Sequence, residues 1–394
     1  MPAESYCSVE KLVSDGIGHI QNREYQKALE DFHEAESRAL RPADIWPLIG
    51  LAYLGVGQEH LQAGRYIEAK MSFDEGLKFR EDDTRVWFGL AIASFHLGRL
   101  DDSESAVLTA IAMDSSQIAF YELLSKIHYA NGRLRKAIDT LEQASAMPGS
   151  DKNVQFLEKL QREWEVEKKM AKEHQGLFEL SFVDEGQSEL IADILEVLND
   201  AYRWVGAELD FFPEFKIPVL LYSRQDFNAV TLSPDWAGAV YDGKIRIPLG
   251  GLSTMTPKLK ALLFHEYAHV LIDKLGNSQV PTWINEGYAE VCGRQHFDPP
   301  VLQLKSAAQQ NQLLSWTTLS ESFMSLPTAQ VPLAYEQSYS MVLFLIENFG
   351  SYPFKELLIL TSKNVPLKVA FETSYGDYGV NWETIENEWR NSIH

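Results

Sequence analysis

Two histidines four residues apart, His265 and His269, enclose Glu266 in the run His-Glu-Tyr-Ala-His, and Glu286 stands 17 positions beyond the second histidine. Residues i and i+4 of an α-helix lie one above the other, so a helix through this run would aim both imidazoles at one point and set Glu266 beside it. Two imidazoles and a carboxylate are an accepted donor set for a single Zn2+ ion, and three protein ligands leave a fourth position for water. Such an ion lowers the pKa of that water towards about 7, within reach of a carboxylate base that can later return the proton to a departing amine. The residue types therefore predict a hydrolase, with metal ligands His265, His269 and Glu286 and general base Glu266.

The elements needed to bring these groups together are signalled locally. Thr256 suits a helix N-cap and Pro257 its first turn; Leu259, Leu262, Leu263, Val270 and Leu271 fall on a buried side, and Gly276 can end the helix. A second helix opening at Thr282 after Pro281 would carry Glu286 inward. With ten histidines in 394 residues, the pentapeptide alone arises by chance in roughly one such chain in fifty. The segment Trp283-Ile284-Asn285-Glu286-Gly287-Tyr288-Ala289-Glu290 is what adds weight to it.

Bulk properties narrow the function classes. A hydrophobic content of 45% with 23% charged residues describes a chain able to build packed cores, and 394 residues allow two or three domains. A formal charge of −21 argues against nucleic acid or an anionic membrane surface as partner, since phosphates need basic neutralisation. No apolar run reaches the roughly 18 residues of a transmembrane segment. The opening Met-Pro-Ala-Glu-Ser-Tyr-Cys lacks the basic and apolar blocks of a secretion signal, which predicts a cytoplasmic protein, or an exported one if the numbering belongs to a mature fragment. Cys7 and Cys292 are too few for a disulfide framework, and Cys292 reads as a packing residue.

Residues 9–151 repeat with a period of 34: Gly64, Gly98 and Gly132 mark turns, Ala69, Ser103 and Ala137 follow at five positions, and Phe73, Val107 and Leu141 supply bulk. An earlier unit has Tyr25, Ala28, Phe32 and Ala35 in step, but Arg23 at the turn position and an insertion near Leu40 to Pro47. Such regularity predicts a helical solenoid of about four units whose concave surface takes a protein partner. His19, His60, His96 and His128 are scattered over it and read as packing or surface residues. Residues 152–175 read as a charged bridging helix, with Leu157, Leu160, Trp164 and Met170 on one face. Residues 176–394 would form the hydrolase domain, with strands at Leu177 to Val183 and Ile217 to Tyr222, a helix from Ser188 to Val205, an extended stretch from Val240 to Pro248, and mixed helices beyond.

On the His-Glu-Tyr-Ala-His run and the following Trp-Ile-Asn-Glu-Gly-Tyr-Ala segment, the chain resembles the gluzincin zinc metallopeptidases, HExxH plus a glutamate, of the peptidase-MA-like type. The preceding half resembles tetratricopeptide repeats. The fold class expected is α+β, mostly α: an N-terminal tetratricopeptide-repeat α-solenoid, then a gluzincin-like metallopeptidase domain with a small β-sheet and active-site helices. By position the resemblance assigns zinc to His265, His269 and Glu286 and the general base to Glu266. It makes Glu290, four residues beyond the third ligand, the acid that orients a ligand imidazole. Downstream, Tyr335-Glu336-Gln337-Ser338 opens a helix ending at Gly350, and Tyr335 resembles the tyrosine that stabilises the tetrahedral intermediate in the aminopeptidase-N-like branch. That branch has glycine where this chain has Ser338, and Tyr339 is the competing tyrosine. Gly238-Ala239-Val240-Tyr241-Asp242 stands where those aminopeptidases have Gly-x-Met-Glu-Asn, so Gly238 and Tyr241 are candidates for a substrate strand. Tyr241 replaces the acid that grips a free amino terminus, which favours an endopeptidase over an aminopeptidase. Asp242 would point to the opposite face, and Asp-Gly reads as a turn.

Three functions compete. The first is a peptidase whose repeats recruit a protein substrate or partner, and the second a repeat-based binding protein with a catalytically silent metal domain. The third is a zinc hydrolase acting on non-peptide bonds. Intact His265, Glu266, His269 and Glu286 favour the first.

Overall fold

A left-handed turn recurs with the 34-residue period, because Gly64, Gly98 and Gly132 have φ of 69°, 71° and 67°. Arg23 takes the same conformation, φ 60°, at the turn of the first unit, where no glycine is present. In the computed structural model, which describes residues 3–147, 154–183, 188–232, 238–276, 280–363 and 365–393, these turns join four helix pairs. The pairs are Ala3–Gln21 with Tyr25–Arg38, Trp46–Gln62 with Tyr66–Leu77, Thr84–His96 with Leu100–Met113, and Ile118–Ala130 with Leu134–Ser145. The small residues of the repeat, Ala28, Ala69, Ser103 and Ala137, are wholly buried, as are Phe32, Phe73, Val107 and Leu141. They let paired helices approach while the larger side chains fill the space between. Serine fits at position 103 because its hydroxyl donates to the Ala91 carbonyl at 2.7 Å. The insertion before the second pair is a short 3₁₀ turn, Pro42–Asp44.

The chain divides into two units between Trp164 and Glu165; the boundary expected at 151–152 falls outside the described residues. The bridging helix is shorter than expected. It spans Val154–Glu167 and buries Leu160, and residues 171–175 are instead a strand. That strand is exposed along its whole length, so it carries no apolar alternation by which a sequence could mark it.

In the second unit a five-stranded sheet has the order β1-β2-β3-β5-β4, with β1 Ala171–Gln175, β2 Phe178–Phe182, β3 Ile217–Tyr222, β4 Val240–Tyr241 and β5 Ile245–Pro248. β1 and β2 form a hairpin, β2, β3 and β5 are parallel, and β4 lies antiparallel at one edge. Residues 240–248 are therefore a tight hairpin turning at Asp242-Gly243, with Gly243 at φ 93°, rather than one extended strand. Among the described strands, β1 and β4 are the two edges of the sheet. The helix Ser188–Glu208 links β2 to β3 and packs on the helix Pro257–Gly276, whose Tyr267 ring meets Phe178 of the sheet at 5.9 Å. Pro257–Gly276, hereafter the histidine helix, is buried on nearly every side, consistent with its place between sheet and helices. Among the described residues, no helix is long and apolar enough to cross a membrane.

Candidate metal centre

The histidine helix starts where expected, with Thr256 Oγ1 accepting from the Leu259 amide at 3.1 Å. Beside it runs a second helix, Thr282–Arg294, the glutamate helix, and against that a third, Val331–Phe349, the tyrosine helix. The glutamate helix is held at close quarters: a Cβ on Gly287 would lie 2.4 Å from the Ser338 carbonyl oxygen. Ser338 is buried and folds its hydroxyl back onto the Ala334 carbonyl at 2.7 Å, so the absent Cβ at Gly287 is what permits this crossing.

These contacts bring the candidate ligands together. Glu286 Oε2 lies 3.5 Å from His265 Nε2 and 3.7 Å from His269 Nε2. The two rings are 4.8 Å apart and nearly perpendicular. Behind them, His265 Nδ1 is 3.4 Å from Glu290 Oε1 and His269 Nδ1 is 2.8 Å from Asn285 Oδ1. An acceptor at each Nδ1 can hold a proton on that side, which would leave each Nε2 free to bind a cation beside Glu286. Glu286 Oε2 and Glu266 Oε2 are buried and have no hydrogen-bond partner, an arrangement that is costly unless a cation or water completes it. The donor spacings suit zinc, since arms of about 2.05 Å in a tetrahedron place neighbouring ligand atoms about 3.3 Å apart. His265, His269 and Glu266 also gather within 4.8 Å of one another. Glu266 thus stands beside the same two rings, itself buried.

The electrostatics follow from this crowding. Burial would lower His265, but the Glu286 and Glu290 carboxylates beside it outweigh that and push the ring well above its usual value. Burial raises the Glu266 carboxyl, with the two histidines opposing. Glu286 and Glu290 move the other way despite burial: His269 and His265 lower Glu286, and His265 with Arg294 pulls Glu290 down to about 2.

Sequence reasoning assigned no role to Asn285 or Arg294. Arg294 donates from Nε to Glu290 at 2.9 Å and from Nη1 to Asp298 and the Pro299 carbonyl at 2.8 and 2.7 Å, so it fixes the acid behind His265. An arginine four residues after Glu290 on one helix was the available signal. Arg294 also separates the two tyrosines. Its guanidinium lies 4.2 Å over the Tyr339 ring, whereas Tyr335 lines the cleft with the candidate ligands. Tyr335 sits one turn inside its helix, which begins at Val331 rather than at Tyr335. Burial and the charges of Glu286, Glu266 and Glu290 raise its phenol far above the usual value.

The cleft has a volume of about 1150 Å³ and is lined by Gly238, Tyr241 and Tyr335 together with the candidate ligands. Tyr241 donates its hydroxyl to Asp273 on the histidine helix at 3.2 Å. Asp242 accepts from Arg246 at 2.9 Å. In the repeat unit the histidines do not converge: His96 stacks on Tyr66, and His128 lies 3.7 Å from Glu104.

A family model described as the Peptidase MA superfamily matches residues 213–394, and one for the tetratricopeptide repeat matches residues 54–118. The chain thus carries a Peptidase MA superfamily domain and tetratricopeptide repeats. It is similar to superkiller protein 3 of Schizosaccharomyces pombe, 22% identical over 136 residues, covering 33% of this chain and 9% of that protein. It is also similar to TPR repeat-containing protein MJ1428 of Methanocaldococcus jannaschii, 31% identical over 86 residues, covering 22% of this chain and 15% of that protein.

Proposed function

We propose that this chain is a zinc-dependent peptidase of the gluzincin type, an endopeptidase, with His265, His269 and Glu286 holding one Zn2+ ion. The observation that carries the reading is the pair of Nε2 atoms facing a buried, unpartnered Glu286 oxygen, each ring backed at Nδ1. Zinc bound there would supply an acidified water and a Lewis acid for the scissile carbonyl. Glu266, beside both rings, accepts the proton of the attacking water on its unpartnered Oε2 and delivers it to the leaving amine. Its burial, which raises the carboxyl, suits a group that must take up a proton and give it back. The raised phenol of Tyr335 stays protonated and donates to the carbonyl oxygen as negative charge develops there. Glu290 and Arg294 keep His265 oriented, and Asn285 does the same for His269.

An endopeptidase is favoured because Tyr241, bonded to Asp273, occupies the strand position where an aminopeptidase would need its own acid. The free edge of β4, at the cleft beside Gly238, is available to an extended peptide. Tetratricopeptide repeats support interaction with a second polypeptide, and we assign the solenoid the recruitment of a substrate or partner protein. Glu266→Gln tests the assignment: zinc content should stay at the parent level while peptide hydrolysis falls by about 10²–10⁴-fold. Hydrolysis at the parent rate would refute it.

A further inference from the structure

The cleft lining contains a turn that the mechanism leaves unused. We propose that this turn, Phe323–Ser325, is a built subsite for a large apolar side chain of the peptide, adjacent to the bond on which Glu266 and Tyr335 act. The inference rests on the peptidase reading and names the class of residue that the site accepts.

Met324 lines the cleft yet is 55% exposed, while its neighbour Phe323 is buried with its ring edge-on to Tyr335 at 5.3 Å. An exposed thioether on a loose loop would mean little; this one is held from several sides. Ser322 caps the turn, accepting from the Met324 amide at 3.3 Å, and its carbonyl accepts from Ser325 Oγ at 2.6 Å. Thr282, at the start of the glutamate helix, donates its hydroxyl to the Ser320 carbonyl at 3.3 Å. From the tyrosine helix, the fully buried Gln337 both accepts from the Leu314 amide and donates to the Leu314 carbonyl, each at 2.9 Å. Beside it, the Glu336 carboxylate takes the amides of Leu302, Gln303 and Leu304 at 3.0, 2.7 and 2.8 Å. Two buried polar side chains that directly follow Tyr335, Glu336 and Gln337, and the half-buried Thr282 thus tie down the segment between the two helices. A wall so fixed holds Met324 at a set place relative to the tyrosine hydroxyl.

The chemistry of the occupant follows from what lines this side. The cleft residues of segments 280–282 and 322–324 carry no ionised group; elsewhere the cleft is lined by charged residues such as Asp242 and Asp273. An apolar side chain entering here removes Met324 and its own surface from water, and the unbranched thioether adapts to leucine-like or aromatic shapes. A charged side chain would lose solvation with no partner.

The test uses matched peptides in which each position flanking the cut carries Leu, Phe, Ala or Asp, on the full chain and on Met324→Leu and Met324→Asp. Two readouts are taken: kcat/KM with the parent, and peptide affinity on Glu266→Gln protein loaded with zinc. The expected result is a preference for Leu and Phe over Ala at one flanking position of about tenfold or more, the scale for a few methylenes in an apolar pocket. Met324→Leu should keep that preference, and Met324→Asp should reduce it to about threefold or less. Affinity that depends on Met324 without any hydrolysis would sink the peptidase reading and leave the subsite standing. Equal treatment of Leu, Ala and Asp peptides in both readouts, or a preference unmoved by Met324→Asp, would overturn the subsite.

Discussion

Substituting Gly287 with alanine perturbs the candidate metal site without touching a ligand. The added Cβ would meet the Ser338 carbonyl oxygen at 2.4 Å and Val342 Cγ2 at 2.6 Å. Ordinary contact with that oxygen needs about 3.3 Å, so the helices must part by roughly 0.9 Å, and no side-chain rotation can move a main-chain carbonyl out of the way. Overpacking of this kind costs about 1–3 kcal/mol. For a unit of this size each kcal/mol lowers Tm by about 2–4 °C, which gives a fall of about 2–12 °C. Glu286 is the adjacent residue and moves with the backbone, while zinc tolerates ligand displacements of only about 0.2 Å. Zinc affinity should therefore fall about 10–100-fold, as when a supporting contact is lost. Competition with a chelator, run beside a circular-dichroism melt, reads both quantities. A variant with lowered Tm and parental zinc affinity would refute the claim that this helix crossing sets the position of Glu286.

Tyr335→Phe should lower kcat about 10²–10³-fold with KM and zinc content close to parent, the pattern for a donor used only as charge develops; steady-state kinetics with metal analysis decides it. In the repeats, Asp83 caps the helix Thr84–His96 and binds Arg85 and Arg80, and its carboxyl lies below the usual value chiefly through the Arg85 hydrogen bonds. A depressed carboxyl contributes stability that is present above its unfolded pKa and lost as pH falls through the folded one. Asp83→Asn should thus cost about 0.5–2 kcal/mol at pH 7 and progressively less below pH about 4. Urea unfolding at a series of pH values checks this, and a difference independent of pH would contradict it.

Much of the site was legible because its parts are local. The spacing of His265 and His269, the cap at Thr256 and the helix start at Thr282 are properties of short windows, and the helices observed follow them. The repeats were legible for a different reason, since three turns in register leave little else for glycines 34 residues apart to mark. What could not be read depends on contacts between distant segments. The exposed strand β1 takes its conformation from pairing with β2 rather than from any pattern of its own. Between Tyr335 and Tyr339 the sequence offered only the resemblance that favoured Tyr335, and the Arg294 guanidinium over Tyr339 and the place of Tyr335 in the cleft lining are what separate them. The Asn285 bond to His269 spans 16 residues and the Glu336 bonds to Leu302, Gln303 and Leu304 span more than 30. Such partners are invisible until the helices are packed.

The most direct measurement is zinc stoichiometry with X-ray absorption at the metal edge, on the parent chain and on His265→Ala, His269→Ala and Glu286→Ala. The account predicts one tightly held zinc per chain, bound by two imidazole nitrogens and a carboxylate oxygen with one light-atom ligand from solvent, and weakened in each variant. A chain that folds and takes up no zinc, or one that keeps the same metal environment after Glu286→Ala, would contradict it.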